Sequence, residues 1–242
     1  MSAALRPLFV LLPWLMGCQA EVTVSGRILR TRDTDEGLVG GRIAILDADG
    51  AEYDSSPTGE DGVFAVLAPA RQDIYAEISG DGLSTSSFTG ASGTGKKLEI
   101  QDGDVYGVDL DEIDALRAQF AGCPGVDDTG GVAFGEIRIV NLSDPETGEN
   151  PLVTTAYVTS SVGGVEQSAC YLDDDGALYD PEVDTTGNAG FFAVFGLPSG
   201  FVTLTVGYTI VEDEDILTYT QVWVPEDNGV VPRFPMWVEF PV

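Results

Sequence analysis

Two β-sandwiches in series, joined by one short helix, are what this sequence predicts: an all-β chain. Three observations carry that expectation. Short alternating apolar and polar runs recur along the chain, bounded by Gly, Pro, Asp and Asn. The stretch Thr58–Val66 returns 128 positions later at Thr186–Val194, and similarity at a fixed offset marks a duplicated module. A single segment breaks the alternation with a helical period. A hydrophobic content of 43 % in 242 residues supports real cores and excludes a disordered acidic tail, despite 40 acidic against 11 basic residues and a net charge of −29.

Residues 1–17 read as a secretion signal: Arg6 precedes the apolar run Leu8–Met16, which Pro13 interrupts. That run is far shorter than the roughly 20 apolar residues of a membrane-spanning helix. It closes on Leu15-Met16-Gly17-Cys18, which resembles the lipobox of bacterial lipoproteins. The resemblance implies cleavage after Gly17, a diacylglyceryl thioether on Cys18 and a further acyl chain, typically palmitate, on the new N-terminus. Gln19 rather than Asp follows, which by the same analogy points to the outer membrane and leaves its periplasmic or surface face open. Removing Met1–Gly17 takes away Arg6 and no acid, leaving ten basic residues against 40 acidic ones. Gln19–Glu21 is then the only spacer before the first strand, at most about 11 Å long.

The strands follow in order. Val22–Val24, Arg42–Leu46, Val63–Leu67 and Ile74–Ile78 fall in the first half, with Asp47-Ala48-Asp49-Gly50 and Asp81-Gly82 as turns. Asp111–Phe120 is the helix. Ile113, Leu116 and Phe120 share one face, acids crowd the first turn, and Gly122 and Pro124 stop it. Ten residues make a marginal helix in isolation, so it must dock on a domain. Phe134–Val140, Phe191–Phe195, Phe201–Val206 and Thr218–Val224 complete the second half. The resulting organisation is 1–17 signal, 19–110 first sandwich, 111–124 helix and linker, and 125–242 second sandwich, with Ala121–Gly131 the expected first site of proteolysis.

The repeat extends beyond its core. Gly26-Arg27-Ile28 aligns with Gly135-Glu136-Ile137, Leu38–Ile43 with Leu152–Tyr157, and Leu67–Ala70 with Gly196–Gly200. In the second copy Pro151-Leu152, Ala156-Tyr157-Val158, Thr186, Gly190, Phe192, Leu197-Pro198-Ser199-Gly200 and Phe201–Val206 resemble the carboxypeptidase regulatory-like domain. The first copy lacks the Pro and the final Gly of that pattern. The resemblance covers nearly the whole mature chain. It implies two tandem transthyretin-like Greek-key β-sandwiches with Phe64 and Phe192 facing inward, and it brings no catalytic residue with it.

Composition narrows the chemistry. With no histidine, Ser-His-Asp and Cys-His catalysis and His-containing zinc sites are excluded. The charge argues against nucleic acid as a partner and against electrostatic docking to anionic lipid. The membrane is reached through the lipid anchor, and an extracellular protein or a glycan is the remaining class of partner. The reading is a non-enzymatic binding or structural spacer module. A polysaccharide-binding module is the alternative, on Tyr208, Tyr219, Trp223 and Trp237, and a hydrolase using paired acids is a remote one. No cofactor is expected beyond weak calcium, for which Asp173 and Asp175 are the candidates.

Cys123 and Cys170 are the even remainder after Cys18 and are expected to pair as a disulfide in an exported chain, free buried thiols being the alternative. The second copy also carries about 14 more residues than the first between its second strand and Thr186. Loops on a rigid sandwich commonly carry function. Gln167–Glu182, with Gln167, Asp173, Asp174, Asp175 and Glu182, is therefore the candidate ligand loop, expected to be removable without unfolding its module.

Overall fold

The computed structural model describes residues 21–92, 95–101, 105–139, 152–173, 175–209 and 215–238, with the backbone alone at 209, 215 and 234–238. The described residues of the first half form β1 (Glu21–Arg27), β2 (Arg42–Leu46), β3 (Glu52–Pro57), β4 (Val63–Pro69), β5 (Asp73–Ser79), β6 (Leu83–Ser84), β7 (Ser86–Ala91), β8 (Lys97–Glu99) and β9 (Val108–Asp109). Helix α1 (Leu110–Gln119) follows. Then come β10 (Gly131–Ile139), β11 (Tyr157–Val162), β12 (Val165–Ser168), β13 (Cys170–Tyr171), β14 (Phe191–Leu197), β15 (Gly200–Thr209), β16 (Asp215–Val224) and β17 (Val230–Val238).

The strand pairings repeat. In the first half β1 lies between antiparallel β4 and parallel β8, facing a sheet ordered β3-β2-β5-β7. In the second, β10 lies between antiparallel β14 and parallel β17, facing β12-β11-β15-β16. The first half is a three-on-four sandwich, and the second has the same connectivity with β13 added beside β14. One core gathers Val24, Ile43, Phe64, Val66 and Ile78; another gathers Ile137, Val158, Phe192, Val194, Leu204 and Val222. Phe64 and Phe192 face inward, as the repeat requires. Gly26 and Gly135 occur where β1 and β10 meet their parallel neighbours: a Cβ would lie 2.9 Å from the Ile100 carbonyl oxygen in one and 1.9 Å from that of Arg233 in the other.

The repeated threonines show why the motif exists. Thr58 and Thr186 are buried, and each donates its hydroxyl hydrogen to a backbone carbonyl one strand away, Leu38 and Val153 respectively. Their own amides donate to Gly41 and Ala156. These bonds pair Leu38 with Val153, one residue beyond the Leu152 that the sequence alignment indicates. Thr186 Oγ1 also accepts from the Ala156 amide at 3.3 Å. Thr186→Val keeps the shape and strips two buried backbone groups of a partner. It should cost about 1–3 kcal/mol, read as a lower denaturant midpoint at unchanged m-value.

The outer faces explain where the copies differ. On β4 burial alternates from Val63 to Ala68, and Val63 and Leu67 are exposed. On β14 the equivalent Phe191 and Phe195 are covered, because α1 docks there. A third core results: Ile113, Leu116 and Phe120 from the helix region, Phe134, Phe195 and Val230 from the second half, and Leu29, Tyr106 and Val108 from the first. The helix spans 110–119 against an expected 111–120. The segment after it is not an open hinge: Cys123 and Val126 are buried in this third core. Ala121, Gly122, Pro124, Asp127, Asp128 and Thr129, between and beyond them, are exposed.

The halves also touch directly. Val230 of β17 pairs with Ser86 of β7, and its amide donates to Thr85 O at 2.8 Å. This joins β13-β14-β10-β17 to β7-β5-β2-β3 as one eight-stranded sheet.

Candidate functional site

Cys18 lies outside the described residues. Among those residues, no helix is long and apolar enough to cross a membrane.

Cys123 and Cys170 are joined as a disulfide with Cα atoms 6.1 Å apart. It ties the turn after α1 to β13, the strand that the extra length of the second copy adds beside β14. The rest of that insertion leans on the helix. The Tyr179 amide donates to Gln119 O at 3.0 Å, Gln119 Nε2 donates to Gly176 O at 3.3 Å, and the Tyr179 ring stacks on Phe120 with centroids 6.4 Å apart.

The candidate loop residues do not converge. Gln167 sits on β12, and its Nε2 donates to Phe195 O at 2.8 Å. Asp173 Oδ1 accepts from the Ala177 amide at 2.7 Å, closing its own turn. Asp175 and Glu182 are exposed, and the Glu182 amide donates to Asp180 Oδ1 at 2.8 Å. Asp174 lies outside the described residues. Asp47 behaves alike, accepting from the amides of Asp49 and Ala51 at 2.9 and 3.0 Å. Among the described residues no group of three or more Asp, Glu, Cys or His is placed to hold a metal ion.

The insertion is also structural, which corrects its reading as a removable loop. Tyr171 is buried in the second sandwich, where its hydroxyl oxygen accepts from the Val158 amide at 2.6 Å. Burial pushes its phenol up to about 12. Leu172 and Cys170 belong to the third core. Excising Gln167–Glu182 would open two cores together.

The aromatic candidates separate in the same way. Tyr208 is buried, Tyr219 is 64 % exposed, and the Trp237 side chain lies outside the described residues. Trp223 turns to the seam between the halves, where its Nε1 donates to Glu77 Oε1 at 2.6 Å. Its ring meets Phe201 edge to face at 5.0 Å, and Phe201 meets Tyr75 at 5.2 Å. Gly50, at φ +79°, lets the β2–β3 turn close on this ring: a Cβ there would lie 2.4 Å from the indole. Tyr75 donates to Gln221 Oε1 at 3.3 Å, and Ser87 donates to the Trp223 carbonyl. Of the described candidates, Trp223 thus belongs to the seam, Tyr208 to the second core, and Tyr219 alone is exposed. Nothing in the local pattern of β16 distinguishes Trp223 from Tyr219.

No family model matches the chain, and no curated protein matches it. Solved structures give remote likenesses. The Bacillus anthracis TIE protein is 14 % identical with a TM-score of 0.31, over 91 % of this chain and 34 % of that one. A Streptococcal ancillary pilin is 12 % identical with a TM-score of 0.29, over 90 % of this chain and 64 % of that one. The minor pilin GBS52 of Streptococcus agalactiae is 11 % identical with a TM-score of 0.28, over 91 % and 97 %. The chain spans about a third of the first and under two thirds of the second. At these scores the likeness assigns neither family nor activity.

Proposed function

We propose that this chain is a lipid-anchored protein of the bacterial cell envelope, held at the outer membrane through Cys18, whose body serves as a stiff, non-enzymatic spacer or binding module. The observation that carries the proposal is the third core. It draws residues from before, within and after α1, so the two sandwiches present themselves as one body. Of the two calcium candidates, Asp173 spends an oxygen on its own turn and Asp175 is exposed. The anchor rests on Leu15-Met16-Gly17-Cys18 and the three-residue spacer behind it. Kinship with carboxypeptidase regulatory-like domains belongs to the same proposal, supported by the paired Thr58 and Thr186 motifs.

Cys18→Ala should abolish incorporation of labelled palmitate and leave the chain either unprocessed or in the soluble periplasmic fraction. A Cys18→Ala protein that still sediments with membranes until detergent releases it would overturn the anchor.

A further inference from the structure

The first sandwich is incompletely filled. A cavity of about 480 Å³ opens between its sheets, within the size range of small-molecule sites. Its cause is the length of one strand. The outer parallel strand beside β10 is β17, nine residues long, whereas its counterpart beside β1 is β8, three residues long. Among the described residues, no strand closes the edge of the first sandwich between β7 and β8. Its walls are apolar, with Phe64 and Ile74 deep and the half-buried Phe88 and Leu98 toward the edge.

Five polar side chains interrupt that wall: Thr89, Glu99, Gln101, Tyr106 and Arg233. Three of them have a buried atom without a hydrogen-bond partner among the described residues, namely Thr89 Oγ1, Tyr106 OH and Arg233 Nε. Native proteins rarely leave such groups unpaired, because each forfeits its hydration for nothing. Three around one cavity point to a missing partner. Arg233 arrives from the other half, carried beside β7 by β17 just past the Val230–Ser86 pair. In a chain with 40 acids, no ion pair found among the described residues includes it. Burial lowers its affinity for its proton, and the Tyr106 phenol beside it partly offsets that. Glu99, the carboxylate at the rim, is exposed and lies 3.8 Å from Lys97.

We propose that this cavity binds a single-chain aliphatic carboxylate, its tail between the two sheets and its head on Arg233 and Tyr106. Apolar walls fit an alkyl chain. A guanidinium whose Nε has no partner among the described residues, with a phenol donor, fits a carboxylate, because both offer hydrogens and the acid offers only acceptors. The full chain's net charge of −29 disfavours any anion, so a preference for one must come from the site.

The test uses the full chain carrying Cys18→Ala, prepared without detergent, and titrates it with dodecanoate, dodecanol and dodecyltrimethylammonium. Dodecanoate should bind once per chain, about tenfold or more tighter than dodecanol, the ratio a charge-assisted hydrogen bond supplies, and tighter than the cation. Arg233→Met should bring dodecanoate down to the level of dodecanol and leave dodecanol unchanged. Ala76→Leu, which fills the cavity from β5, should remove both while the thermal melt stays cooperative. Absence of dodecanoate binding, an equal or greater affinity for the cation, or an Arg233→Met protein that keeps its preference would overturn the proposal. Each arm reads binding by unlipidated protein, so its outcome is separate from that of the anchor.

Discussion

Phe120→Ala is expected to be the most damaging single substitution in the chain, at about 3–5 kcal/mol. The side chain is fully buried, and its ring meets Tyr179, Phe191 and Phe195 at 6.4, 5.9 and 5.7 Å. These partners come from the insertion and from the outer face of β14, so no single movement closes the void. For a chain of this size the loss corresponds to a fall in Tm of roughly 10 °C. Calorimetry should show one transition that moves as a whole, because Leu29, Tyr106 and Val108 of the first half share the same core. Two transitions, only one of them shifted, would show that these three contribute nothing to joining the halves.

Replacing Cys123 and Cys170 together by serine should cost about 4 kcal/mol in the chain-entropy account, given their separation of 47 residues. The loss should also change where the chain is cut. In the oxidised protein the turns after α1 are held by the disulfide and by burial of Val126, so limited proteolysis should spare 121–131. Reduction frees both the turns and β13, and that segment should then be cut first. Equal cleavage of 121–131 before and after reduction would mean that the disulfide does not restrain it.

Much of the sandwich was legible because burial on one face leaves a period of two in the sequence. Arg42–Leu46 is read to the residue, and the face of α1 follows from Ile113, Leu116 and Phe120. The duplicated Thr-Gly turn was visible because its hydroxyl has a fixed acceptor in each copy. Strands β3 and β7 escaped notice for the opposite reason. Glu52–Pro57 is a polar edge, and Ser86-Ser87 is buried without being apolar. Strand β17 was hidden by Pro232 and Pro235, which ordinarily argue against a strand inside a sheet. The disulfide could be read from cysteine parity and compartment, whereas the third core could not. Its members are separated by up to two hundred residues, and no local pattern records which outward faces a helix will cover. The cavity was equally hidden, since it results from a strand that is too short rather than from any motif.

The parallel pairing of β17 with β10, and its contact with β7, sets an order of events during synthesis. Until residues 230–238 have been made, β10 lacks one neighbour and β7 lacks its contact at Ser86. Both edges present unpaired backbone groups during that interval, and such edges recruit strands from other chains. The first half reaches its own partners much sooner, because β1 and β4 need only 69 residues to meet. Ribosome-stalled or truncated chains ending before Val230 should therefore combine a folded first sandwich with a sticky second one. Quality control would have to recognise the chain late, at a point when most of it already resists proteases.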